Sequence, residues 1–338
     1  MANARLPQLD RLFLADAGLE PDMIYNRGFD LPCFSSVMLL RSGEGRAALE
    51  LYFREFIELA RRSGTGCLLE TATWRASADW APKLGLGLDE LDGLNSAAVA
   101  LLLGLRADYA GQSPDIVVSG CIGPRGDGYD PGAIMSRAGA EAYHIRQARV
   151  LAAAGADMLS AITMTNVNEA IGIVRAARET GLPVAISFTV ETDGRLPTGD
   201  RLADAIAEVD AATDAYAAYY MVNCAHPTHF AEALLSGETW LSRIRGIRAN
   251  ASRCSHDELD AMTELDDGDP AEFGALYHDL YERLPGLTVM GGCCGTDIRH
   301  IASIAARCAP LAGRRLAARD LHWSARHGRV LKKAPVED

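Results

Sequence analysis

The chain has 338 residues, 49% of them hydrophobic, and carries 45 Asp and Glu against 33 Lys and Arg, a formal net charge of -12. That balance excludes a nucleic-acid partner, because phosphate contacts need clustered basic residues, and the densest cluster, Arg314, Arg315 and Arg319, reads as a solvated helix face. The longest apolar stretch, Ala97 to Leu105, falls far short of the ~20 residues of a membrane span.

Eight short runs, apolar without strict alternation, recur along the chain. They are Leu12–Asp16, Cys67–Thr71, Asp115–Gly120, Asp157–Ile162, Pro183–Thr189, Ala218–Asn223, Ile244–Ala249 and Leu287–Gly292. Strands read this way when both faces are buried, as in parallel sheets. The first connection, Gly18 to about Arg46, looks irregular and long enough to cover a site. Helical patterns separate the later runs. Glu141–Ala154 ends at Gly155 and Glu169–Thr180 at Gly181, which suits left-handed caps. Ile298, Ile301 and Ile304 mark a last helix face turned to a core. Strand–helix alternation of this length predicts an α/β fold, a single (β/α)8 TIM barrel spanning residues 1–338 as one domain. The rival, an open doubly wound sheet, lacks a G-x-G-x-x-G after the first strand.

The opening segment, Met1 to Asp10, has no apolar signal region, so the expected location is cytoplasmic. In that reducing compartment the eight cysteines point to a metal or a reactive thiol before a disulfide. Cys33, Cys67, Cys121, Cys254 and Cys308 read as small buried hydrophobes. The other three stand apart. Gly291-Gly292-Cys293-Cys294-Gly295 lies where the eighth strand meets a helix that Asp297 can cap, and Asn223-Cys224 closes the sixth strand. In a parallel barrel these ends share one rim, the rim that carries catalysis. Cys224, Cys293 and Cys294 would form a three-sulfur site with an open fourth position, the pattern of catalytic Zn2+. A substrate thiol in that position would be deprotonated and ready to accept a methyl group from a cationic donor. His226 offers a fourth ligand, a pocket wall or a loop cap. Trp74 and Trp80 offer an aromatic wall for a sulfonium or quaternary ammonium, and of Tyr219 and Tyr220 only one should point inward.

At these residues the sequence resembles the homocysteine S-methyltransferase family, over about Leu12 to Ala306. That family includes betaine– and S-methylmethionine–homocysteine methyltransferases. The resemblance implies a (β/α)8 barrel in which Cys224, Cys293 and Cys294 bind zinc, and zinc binds the thiol of homocysteine to give methionine. It further implies substrate contacts from Asp16-Ala17-Gly18, whose backbone N–H groups would receive the amino-acid carboxylate. Glu70, Thr71, Thr73, Thr163 and Asn223 complete the implied contacts; no catalytic residue beyond the zinc site is implied. The chain departs from the family's pattern twice. Asp16-Ala17-Gly18 replaces Asp-Gly-Gly, and Ile162-Thr163 stands where a Glu-Thr pair usually anchors the acceptor's ammonium. Glu70 and Glu191 are the candidates to replace that glutamate. The alternatives are a different thiol or selenol acceptor on the same zinc site, or a non-catalytic zinc- or redox-responsive module. The small-molecule acceptor and donor are the expected partners. The tail after Arg329 reads as loose or docked on a neighbour, which leaves an oligomer open.

Overall fold

The computed structural model describes residues 6–112 and 114–327, with side chains described as far as residue 313. The Arg314, Arg315 and Arg319 side chains and the tail after Arg329 lie outside the described residues. Eight parallel strands close into a barrel in chain order. They are β1 (Phe13–Ala15), β2 (Gly66–Glu70), β3 (Ile116–Ile122), β4 (Met158–Met164), β5 (Val184–Phe188), β6 (Tyr219–Asn223), β7 (Ile244–Ala249) and β8 (Val289–Gly292). Pairing of Phe13 with Val289 closes the ring. Each of the eight runs expected from the sequence overlaps one of these strands.

The principal helices are α1 (Gly43–Ser63), α2 (Leu88–Asp108), α3 (Arg137–Ala153), α4 (Val167–Thr180), α5 (Leu202–Ala212), α6 (Pro227–Leu234), α7 (Pro270–Arg283) and α8 (Ile298–His327). Their ends follow local chemistry. Asn166 caps α4 by accepting from Glu169 N at 3.0 Å, and Gly181 closes it with a φ of 77°. Asp297 Oδ1 accepts from Arg299 N at 2.8 Å at the start of α8. The segment between β1 and α1 is not irregular as expected. It folds as short helical turns at Leu19–Pro21, Asp22–Asn26, Pro32–Phe34 and Ser36–Arg41. None of the described helices is long and apolar enough to cross a membrane.

Strand residues alternate between two concentric cores. Phe13, Leu68, Val117, Met158, Tyr219 and Met221 fill the barrel interior. Their neighbours Leu14, Leu69, Val118, Leu159, Tyr220 and Val222 pack outward under the helices. Burial on both faces explains why the runs are continuously apolar, and each large side chain so buried stabilises the fold by about 1.5–3 kcal/mol. The tyrosine pair obeys the same period: Tyr219 lies inside the barrel, and Tyr220 points outward and donates to Asp210 at 2.7 Å.

Candidate active site at the carboxyl end of the barrel

Cys224 follows β6 directly, and Cys293 and Cys294 follow β8. The barrel brings their sulfurs together from 69 and 70 positions apart: Cys293 Sγ is 2.9 Å from Cys224 Sγ, which is 3.6 Å from Cys294 Sγ. The backbone turns sharply to achieve this. Cys224 adopts a φ of 57°, a left-handed conformation that is strained for a residue with a Cβ. Its neighbours hold it there. Its N–H donates to Arg248 O at 3.1 Å, and its carbonyl accepts from His256 Nε2 at 2.8 Å. On the β8 side Gly295 takes a φ of 77°, and the Thr296 hydroxyl donates to Cys293 O at 2.7 Å. Gly18 lies so close that an added Cβ would strike the Cys293 carbonyl.

The electrostatics of three crowded thiols are unequal. Hydrogen bonds from Cys224 and Cys294 pull the Cys293 thiol well below its ordinary range against the cost of burial, with help from Arg248. Hydrogen bonding to Cys293 pushes Cys224 up. All three sulfurs lie within 4.8 Å of one another. Bonds of 2.3 Å to a tetrahedral Zn2+ place sulfurs about 3.8 Å apart; the 3.6 Å between Cys224 and Cys294 is close to that, the 2.9 Å between Cys224 and Cys293 is shorter, and the set of three cysteine donors fits such an ion.

A cavity of about 420 Å³ opens over the thiols. Of the residues expected to contact substrate, Asp16, Ala17, Gly18, Glu70, Thr71 and Thr163 line it. Thr73 and Asn223 stand one layer behind. Thr73 donates to Cys121 O at 2.6 Å and shares a 2.6 Å hydrogen bond with Thr71, which ties β2 to β3. Asn223 Oδ1 accepts from Thr163 N at 2.9 Å and from Ser187 Oγ at 2.6 Å, and Asn223 Nδ2 donates to Thr163 Oγ1 at 2.8 Å. These bonds hold Thr163 at a φ of 67°, where the β4–β5 register shifts.

Of the backbone N–H groups of Asp16-Ala17-Gly18 expected to receive a carboxylate, those of Ala17 and Gly18 are engaged within the protein. Ala17 N donates to Tyr52 Oη at 3.1 Å, and Gly18 N to Thr296 O at 3.3 Å. Of the two acidic residues suggested as replacements for the absent glutamate, Glu70 lines the cavity, whereas Glu191 lies outside its lining and meets His256 Nδ1 at 3.0 Å.

Several lining groups were not singled out by the sequence. Arg248, at the end of β7, is buried and forms an ion pair with Asp16 at 2.7 Å and a longer one with Glu70 at 3.9 Å. Burial works against its charge, but Asp16 and Glu70 more than offset that and raise its pKa. Tyr129 Oη lies 3.4 Å from Cys224 Sγ and donates to Cys294 Sγ at 3.7 Å. Its ring stacks on His256 at 3.9 Å. No motif or spacing flags either residue, since both meet the thiols only through closure of the barrel. His226 neither joins the sulfurs nor lines this cavity. Its Nδ1 accepts from Thr228 N at the start of α6, and burial pushes its pKa down to about 4. Trp74 lines the cavity and donates to Ile162 O at 3.1 Å, whereas Trp80 is buried away from it beneath Arg75 and Lys83. Of the five cysteines read as buried, Cys67, Cys121 and Cys308 are so. Cys33 is exposed on a left-handed turn and Cys254 is half-buried, both in connections where no core reaches them.

Burial raises Glu70 from the ordinary 4.5 to about 7, against the pull of Arg248. A folded state that binds this proton more tightly than the unfolded chain loses stability as pH rises from about 5 to 8. The contribution is about 3 kcal/mol. Urea denaturation of wild type and Glu70→Gln across that range will show the flatter profile in the variant. Parallel profiles would contradict the assignment.

A family model described as homocysteine S-methyltransferase matches residues 21–308. Homocysteine S-methyltransferase 1 from Arabidopsis thaliana is 24% identical over 326 residues, covering 86% of this chain and 91% of the relative. Homocysteine S-methyltransferase 4 from Zea mays is 24% identical, covering 70% and 73%. Among solved structures, the homocysteine methyltransferase MmuM from Escherichia coli aligns in its oxidised form with a TM-score of 0.69 at 22% identity, covering 88% of this chain and 96% of that one. Its metallated form aligns with a TM-score of 0.67 at 22% identity and the same coverage.

Proposed function

From the premise that this chain belongs to the homocysteine S-methyltransferase family and is a methyltransferase, we propose that it moves a methyl group from a cationic donor to a zinc-activated thiol, with homocysteine as the acceptor and methionine as the product. The observation that carries this reading is the convergence of Cys224, Cys293 and Cys294 on one rim, beneath a cavity of about 420 Å³. Zinc, when bound by these three residues, would supply an acceptor sulfur that is anionic at neutral pH. The transfer forms a bond between that sulfur and the methyl carbon and breaks the bond between the methyl and the donor's positive centre. The electron pair leaves with the donor, which becomes a neutral thioether or amine.

The protein's own part is to position and to select. Asn223 and the backbone around Cys224 fix where the acceptor sulfur must sit, which lowers the entropic cost of the displacement. Asp127, Asp260, Glu264 and Asp266 line the outer cavity, and this acidic mouth favours a sulfonium or quaternary ammonium donor. Trp74 presents an aromatic surface beside them, partly occupied by Arg75 at 5.0 Å. The test is methionine formation by zinc-replete protein from homocysteine with S-methylmethionine or with betaine. Turnover with one donor supports the reading and identifies the donor class. No turnover with either overturns it.

A further inference from the structure

The floor of the cavity holds charged groups whose hydrogen-bonding capacity is unused. Arg248 is 6% exposed and Glu70 4%. Arg248 Nε donates to Gly292 O at 3.3 Å and Nη2 to Ala17 O at 3.4 Å, with Asp16 alongside, so the guanidinium is anchored on one side. Its Nη1 has no hydrogen-bond partner among the described residues, and it meets Glu70 Oε1 only as an ion pair at 3.9 Å. Buried polar atoms without partners are costly, and in a cavity wall they mark places where a ligand completes the bonding. Arg248 and Glu70 line the same cavity as the three thiols, and Arg248 bonds to the residue just before Cys293.

We propose that Arg248 binds the carboxylate of the acceptor and Glu70 binds its α-ammonium, so that the enzyme reads an amino-acid thiol through a charge pair of its own. The inference rests on the proposed function and specifies how that site chooses its acceptor. Three observations lead to it. The N–H groups of Ala17 and Gly18 are already donated to Tyr52 and Thr296, which leaves Arg248 Nη1 as a cationic donor without a hydrogen-bond partner beside Glu70. Ile162 offers an ammonium only a hydrocarbon side chain, whereas Glu70 offers a carboxylate whose one ion pair, to Arg248, is long at 3.9 Å. Glu70 and the Nη1 side of the guanidinium lie 3.9 Å apart, and a zwitterion entering with its ammonium toward Glu70 and its carboxylate toward Nη1 gives each group an opposite charge. Asp16 is then a positioning residue that holds the guanidinium in place.

The experiment compares three thiols of equal reach. Homocysteine carries both handles, 3-aminopropane-1-thiol lacks the carboxylate, and 4-sulfanylbutanoate lacks the ammonium. Each truncated thiol should lose about a hundredfold in kcat/KM, because its absence leaves a buried charged group unpaired. In Arg248→Met the preference for homocysteine over the aminothiol collapses toward one. In Glu70→Gln the preference over the sulfanyl acid collapses instead. These ratios do not depend on how much of a variant folds, and the wild-type comparison stands without any variant. Titration calorimetry with the same thiols reads the preferences without turnover. Absent methyl transfer with the binding preferences intact would sink the functional reading and uphold this inference. Equal use and equal binding of all three thiols by wild type, or preferences that survive both substitutions, would overturn it.

Discussion

Cys293→Ala will abolish both zinc binding and methyl transfer while leaving the barrel folded. Cys224→Ser and Cys294→Ser will do the same. A three-thiolate site has no spare ligand, and the next polar group, the Tyr129 hydroxyl, already bonds to two of the sulfurs. The fold does not depend on this sulfur, because Cys293 is only half-buried and lies beyond the end of β8, outside both cores. Elemental analysis should find about one zinc per chain in wild type and none in the variants, with unchanged circular dichroism. Full zinc stoichiometry and activity in Cys293→Ala would remove the basis of the proposed function. Selective loss of activity with zinc retained would move the cysteines to a role in substrate binding.

The second large effect falls on stability. Asp16→Ala leaves the Arg248 guanidinium buried with only the distant Glu70 to balance it. Breaking a buried pair from one side typically costs about 3–5 kcal/mol, because the remaining charge has lost its compensation. Removing both members costs less than removing Asp16 alone, since no orphaned guanidinium remains. Urea denaturation of Asp16→Ala, Arg248→Met and the double variant measures this directly. A double variant as unstable as the sum of the singles would show that the pair does not interact as its 2.7 Å separation indicates.

The barrel was legible because its evidence is local and repeated. Each strand announces itself as a short apolar run, and each of α3 and α4 ends at a glycine with positive φ, Gly155 at 100° and Gly181 at 77°. The three thiols were legible too. Glycines flank one pair, and the order of strands in a parallel barrel puts the ends of β6 and β8 on one rim. The acceptor pocket was only partly legible. Ile162 was visible as the place where a charge is missing, and Glu70 as one residue able to replace it. Arg248 was hidden inside an apolar run, Ile244–Ala249, where a charged residue reads as an interruption and not as a floor of the cavity.

What the sequence by itself determined was the periodicity of the elements, the closure of eight parallel strands and the meeting of Cys224 with Cys293 and Cys294. These follow from burial on both faces of every strand and from the shared direction of parallel strand ends. Only the tertiary structure decided which groups around the thiols are free to act. It spent the N–H groups of Ala17 and Gly18 on Tyr52 and Thr296, turned His226 into a helix cap and Trp80 into buried packing, and brought Tyr129 and Arg248 to the site. The reason is that a hydrogen-bonding group can serve a ligand only if no nearer partner claims it. Those partners lie far away in the chain and become neighbours only when the barrel closes.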